Sequence, residues 1–311
     1  MESREKWIDR WYRKSQSQDT KNSVQSFLKT WDKFLNATNL NEIDIINPAH
    51  PYHAPIPLFE VLQNYINWGQ DRGNSATTIR QYFMFLKDWL WFNGVKIYDE
   101  DVKHELAFPK KVEGEKAPMT REIINTLVEK TKSKKSLYLV LASSGMRIGE
   151  TLQLRMKDVR IDESPARVII PPPITKAKRG RTTFISSEAV ESLRDFRRWG
   201  KESKNFIFWS GEDFQKARAN QIHYFRELLL KCGLLEKSWN NYNNTLSLHS
   251  FRSFFITRVA RHDENYSKKW AGQKGYLLQY DRMPIEEQAE IYRKIEPDLT
   301  ISSNLVNNIL K

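Results

Sequence analysis

The feature that most constrains this chain is a break. Phe108-Pro109-Lys110-Lys111-Val112-Glu113-Gly114-Glu115-Lys116-Ala117-Pro118 is polar, rich in lysine and bracketed by prolines. Proline removes a backbone donor and clashes inside a helix, and the run has no apolar face to bury. The chain therefore divides into an N-terminal domain over 1–108, a linker over 109–118 and a C-terminal domain over 119–311. A length of 311 residues agrees, being generous for one core.

Ahead of the break, Val24, Phe27, Leu28, Trp31, Phe34 and Leu35 recur at helical spacing, with Ser23 standing as the N-cap. Pro48, Pro51, Pro55 and Pro57 impose a loop. A second helix is predicted over 58–71, ended by Arg72-Gly73-Asn74. A third starts near Ser75, buries Ile79, Tyr82, Phe83, Leu86, Trp89 and Leu90, and closes at Gly94. Residues 1–20 are polar apart from Trp7 and Trp11, and read as a short helix or an arm. This part is a small helical bundle. Behind the break, Thr120 caps a further helix, and helices alternate with strand-like runs at Val159–Ile161, Val168–Ile170, Thr182–Ile185 and Phe206–Phe208. The middle two flank Thr175-Lys176-Ala177-Lys178-Arg179-Gly180-Arg181, a basic hairpin tip, and Asn240–Asn244 is a loop. The expected fold class is mainly α with a small antiparallel β-sheet, a helical N-terminal bundle followed by a mixed α/β domain.

Fifty Lys and Arg against thirty-eight Asp and Glu leave a net charge of +12. That surplus draws polyanions, of which nucleic acids are the commonest in a cell. The single cysteine, Cys232, can form no internal disulfide and has no thiol neighbours for zinc, which fits a reducing compartment. No run is apolar enough to span a bilayer, and the charged opening lacks a secretory signal, so a cytoplasmic protein with no membrane partner is expected. No phosphate-cradling loop, dinucleotide fingerprint or Gly-x-Ser-x-Gly elbow occurs, and the six histidines are scattered rather than grouped as ligands. Any action on phosphodiester bonds is expected to use no metal, no cofactor and no ATP. Such chemistry needs a nucleophile, positive charge around the phosphate and an acid for the leaving oxygen. Arginine suits the second task, because its planar fork binds two phosphate oxygens at once.

Two segments supply the candidates. Ala142-Ser143-Ser144-Gly145-Met146-Arg147-Ile148-Gly149-Glu150-Thr151-Leu152-Gln153-Leu154 reads as a helix end, a glycine turn and Arg147 at the start of a new helix, with Lys157-Asp158-Val159 behind it. Leu248-His249-Ser250-Phe251-Arg252 puts His249 and Arg252 on one helical face. These segments resemble the tyrosine recombinase family of the phage-integrase type. The first is similar to its Gly-hydrophobic-Arg-hydrophobic-x-Glu motif, the second to its His-x-x-Arg motif. Ser75–Tyr82 resembles a helix start in the family's core-binding domain. Tyr280-Asp281-Arg282 with Pro284–Glu287, and Tyr292–Ile301, resemble the tail of archaeal integrase-like members.

The resemblance implies a DNA-binding bundle over 1–108 and a catalytic domain over 119–311. It implies Arg147, His249 and Arg252 around the scissile phosphate, supported from behind by Glu150. It makes Lys176 the general acid on a β-hairpin, with Lys178 as the alternative, and puts Gln273 where the family carries a histidine. Tyr280 becomes the nucleophile, with Tyr276 and Tyr292 as competitors. Lys178, Arg179 and Arg181 are expected on the DNA backbone. The implied function is a site-specific recombinase or integrase that cleaves and rejoins double-stranded DNA through a 3′-phosphotyrosyl link, as a homotetramer on DNA. Gln273 can hydrogen-bond a phosphate but cannot act as an acid or base. That departure supplies the alternative, a catalytically impaired DNA-binding protein of the same fold.

Overall fold

The computed structural model describes residues 3–15, 17–46, 57–112, 116–131, 133–196, 206–210, 213–237, 244–274 and 282–302. Pro48, Pro51, Pro55, the 240–243 stretch, Tyr276 and Tyr280 lie outside them. The chain divides into two units, 1–113 and 114–311.

In the first unit the helices begin at their caps. Helix α1 is Arg4–Ser15, α2 Gln18–Thr38, α3 Glu42–Ile46, α4 Leu58–Asp71, α5 Ala76–Phe92 and α6 Asp99–Glu105. Ser75 caps α5 by accepting from the Thr78 N–H, as its position predicts. Ser23 is not a cap. Ser17 takes that role for α2, and the Ser23 hydroxyl donates to the Asp19 carbonyl inside the helix. The polar first turn of α2 hides this start from a reading based on apolar spacing. Within the stretch read as a short helix or an arm, Arg4–Ser15 is helical, and α1 is tied down by its tryptophans. The Trp7 and Trp11 indole N–H groups donate to Asp88 Oδ2 at 2.8 and 2.9 Å. Trp31 and Trp89 donate to Glu42 Oε1 at 2.8 and 3.0 Å, and Arg4 reaches the same carboxylate. Burying an indole requires a partner for its N–H, and two acids satisfy four rings.

In the second unit, α7 (Arg121–Lys130) starts at the Thr120 cap. Helix α8 (Lys135–Ser144) is buried from Ser136 to its end, with α10 (Ser187–Arg194), α12 (Leu248–Ala260) and α14 (Ile285–Leu299) packed around it. The short α9 (Ile148–Leu152), the long α11 (Phe214–Lys231) and α13 (Glu264–Ala271) complete the helices among the described residues. Strands β1 (Val159–Arg160), β2 (Ala166–Ile170) and β3 (Arg181–Ile185) form an antiparallel sheet in the order β1-β2-β3, with Val168 opposite both Val159 and Thr183. The expected strand at Phe206–Phe208 does not form. Phe206 makes one isolated bridge to Arg155, and Ile207 and Phe208 are buried in the core. A short apolar run serves a core as readily as a sheet. The chain is mainly α with a small antiparallel sheet, as expected. Among the described residues no helix is long and apolar enough to cross a membrane.

Candidate active site

The site is built on the end of α8. The last carbonyls of a helix have no partner within it, and here three separate elements supply one each. Tyr292 of α14 donates its hydroxyl to Ser143 O at 2.7 Å. Thr183 of β3 donates to Ser144 O at 2.9 Å, and Arg252 of α12 donates Nη1 to Gly145 O at 2.7 Å. Gly145 takes a left-handed φ of 66°, and a Cβ there would lie 2.2 Å from the Phe255 ring. Only glycine fits that turn.

Arg147 follows as the N-cap of α9, and its N–H donates to Glu150 Oε2 at 2.9 Å. Its guanidinium touches Glu150 Oε1 through Nη1 at 3.1 Å, while its side chain stays 35% exposed. Glu150 is buried. Burial pushes its carboxyl up, but the hydrogen bonds and charge of Arg181, then the N–H and charge of Arg147, outweigh this and hold it below the usual carboxylate range.

Arg181 corrects an expectation. Rather than facing solvent for a DNA backbone, its guanidinium grips Glu150 through Nη1 and Nη2 at 3.1 and 2.7 Å, and its Nε donates to Trp270 O at 2.9 Å. Its side chain is 10% exposed. A run of basic residues reads as one solvated face, yet the hairpin ends at Arg181, where β3 enters the core.

His249 and Arg252 share a face of α12, the first exposed and the second buried. Burial, then the charge of Arg147, pushes Arg252 down to about 10. Burial also lowers His249, helped by the charges of Arg252, Lys116 and Arg147. His249 is therefore biased towards its neutral form in a cationic neighbourhood. Lys116 was hidden inside the linker run, where no spacing marks it.

On the hairpin, a turn over Pro172–Ile174 leads to Thr175, whose buried hydroxyl accepts from the Arg179 N–H. Lys176, Lys178 and Arg179 are exposed. Lys178 sits at φ 53° and donates its ammonium to Pro173 O at 3.2 Å. Gln273 is exposed just beyond Gly272, the left-handed cap of α13. Of the three tyrosines, Tyr292 is corrected by the fold. It is fully buried against Phe184 and Trp270, and burial raises its phenol well above the usual value. It caps a helix and cannot meet a phosphate, which narrows the choice to Tyr280 and Tyr276.

Residues 117–268 match the phage integrase family. A protein of Caldanaerobacter subterraneus subsp. tengcongensis named as a tyrosine recombinase is 21% identical over 193 residues, which is 60% of this chain. The match spans 61% of that relative's length. Among solved structures, a lambda integrase dimer bound to a COC′ core site matches with a TM-score of 0.60 at 15% identity, over 93% of this chain and 77% of that one. The Tn1549 transposon integrase in complex with transposon right-end DNA gives 0.54 at 16% identity, over 87% and 98%. The XerH recombinase bound to a palindromic difH substrate gives 0.55 at 18%, over 88% and 79%. At these identities the likeness is one of fold.

Proposed function

We propose that this chain, whose residues 117–268 match the phage integrase family, is a site-specific DNA recombinase working through a 3′-phosphotyrosyl intermediate. One observation carries the reading. Arg147, Arg252 and His249 bear on one another's charge, and the buried carboxylate beside them, Glu150, is already gripped by Arg147 and Arg181. Burial, and then the charge of Arg147, pushes Arg252 down to about 10, so an anion beside these guanidinium groups is favoured. A phosphorus centre under attack carries more charge on its oxygens than the resting diester, so these groups favour the transition state.

In this reading Tyr280 attacks phosphorus and passes its proton to neutral His249. The bond to the 5′-oxygen breaks as Lys176 delivers a proton to that oxygen, and Gln273 donates a hydrogen bond to the phosphate. The protein–DNA link conserves the energy of the broken bond. A 5′-hydroxyl from a second strand can then reverse the step without ATP or metal. Double-stranded DNA as partner is supported by the net charge and by the DNA-bound integrases of like fold. Exchange between two duplexes calls for four active sites, hence a homotetramer on DNA, acting in the cytoplasm. Lys178 and Arg179 would contact the backbone.

The test is covalent trapping. The protein is mixed with nicked duplexes from its native locus, denatured, and examined for an adduct whose peptide is mapped. An adduct at Tyr280, lost in Tyr280→Phe, supports the mechanism. One at Tyr276 moves the nucleophile and keeps the chemistry. Tight, salt-sensitive binding with no adduct would favour the impaired DNA-binding protein, the reading to which Gln273 points.

A further inference from the structure

We propose that Arg181 is a positioning residue that keeps Arg147 available to the phosphate, by occupying Glu150 and anchoring the end of α13 to the hairpin base. The inference rests on the proposed reaction and adds a residue to it.

Glu150 is 2% exposed, so its charge must be answered from within the protein. Two arginines answer it unequally. Arg181 lays its fork on both oxygens, at 3.1 and 2.7 Å. Arg147 spends its backbone N–H and a single guanidinium contact of 3.1 Å. Carboxylates favour the two-pronged arrangement, so one arginine is used up and the other is left partly outside. The exposures agree, at 10% for Arg181 and 35% for Arg147. Without Arg181, the buried carboxylate would draw the Arg147 fork inward, away from a phosphate. Arg252 of α12 bears on the same carboxylate but spends Nη1 on Gly145 O.

The same side chain ties three segments. Arg181 is the first residue of β3, where the hairpin carrying Lys176 ends. Its Nε holds Trp270 O near the end of α13, and the following Gly272 lies so close that a Cβ there would sit 2.8 Å from the guanidinium. Gln273 comes next. The segments bearing Arg147, Lys176 and Gln273 thus meet at one guanidinium.

The experiment measures single-turnover adduct formation on a nicked duplex, DNA affinity and thermal melting. It compares wild type, Arg181→Met, Arg181→Lys, Glu150→Gln and the double variant Arg181→Met/Glu150→Gln. Glutamine keeps an acceptor for the Arg147 N–H and removes the charge that would pull its guanidinium inward. Arg181→Met is expected to slow adduct formation about 100-fold, with DNA affinity within about threefold of wild type. Adding Glu150→Gln is expected to recover about tenfold of that loss, which a merely structural arginine would not allow. Arg181→Lys should fall between, since an ammonium cannot span both oxygens. If Arg181→Met fails to melt cooperatively, Arg181→Lys and the double variant decide. Variants at Arg181 that cleave as fast as wild type, or a folded double variant no faster than Arg181→Met, overturn the inference alone. Wild type forming no adduct overturns the reaction and the inference with it.

Discussion

Each unit has carboxylates that collect N–H groups, half-buried in the first and fully buried in the second, and the two put them to opposite uses. In the first, Glu42 and Asp88 take the indoles of four tryptophans, with Arg4 as a charged partner of Glu42. Neutral rings are held in a core. In the second, Glu150 takes two arginines, one of which keeps part of its surface outside, and a third arginine lies near. Cations are held at a surface. The first arrangement ends in answered indoles, the second in arginines that outnumber the carboxylate they meet. An acid that collects N–H groups therefore does not declare its purpose. The charge of its partners, and whether they face inward or outward, does.

Arg147→Ala should lower adduct formation by about a thousandfold while changing stability little, because it removes charge aimed at the transition state. Adduct kinetics beside a urea melt checks both halves. Glu42→Ala should do the reverse, costing about 2 kcal/mol of stability in the first unit by leaving the indoles of Trp31 and Trp89 without their acceptor, while Arg4 keeps Asp32. A urea melt showing no loss would remove the contrast. Tyr292→Phe should cost about 1 kcal/mol through the lost bond to Ser143 O, and should still form an adduct. The same trapping gel reads it.

The pH dependence sharpens the cationic side. His249 is lowered by burial and by its cationic neighbours, so its neutral form persists below the usual histidine range. If it accepts the tyrosine proton, cleavage should hold through neutral pH and fall as pH drops through that depressed value. His249→Gln should remove this acid limb from the pH–rate profile. The smallest effect tests the helix start. Ser17→Ala should cost about 1 kcal/mol of stability, and Ser23→Ala less, since only Ser17 caps α2.

The placement of Arg147 against Glu150, and of His249 and Arg252 on one face of α12, was legible because spacing within a short segment sets it locally. Helix α5 and its Ser75 cap were legible for the same reason. Arg181 was misread, because nothing in a basic run marks which member turns inward. Ser17, Tyr292 and Phe206 were missed or misplaced where the answer depended on a distant or polar partner.

By itself, then, the sequence determined the helical period of the first part and the hairpin with its exposed basic tip. These depend on residues close in the chain, whose backbone preferences and side-chain period act locally. Only the tertiary structure decided that Tyr292, Thr183 and Arg252 cap one helix end, that Arg181 faces Glu150, and that the charge of Lys116 bears on His249. The physical reason is burial. Desolvation makes each hidden carbonyl and carboxylate find a partner, and which partner comes to hand is set by packing between elements far apart in sequence.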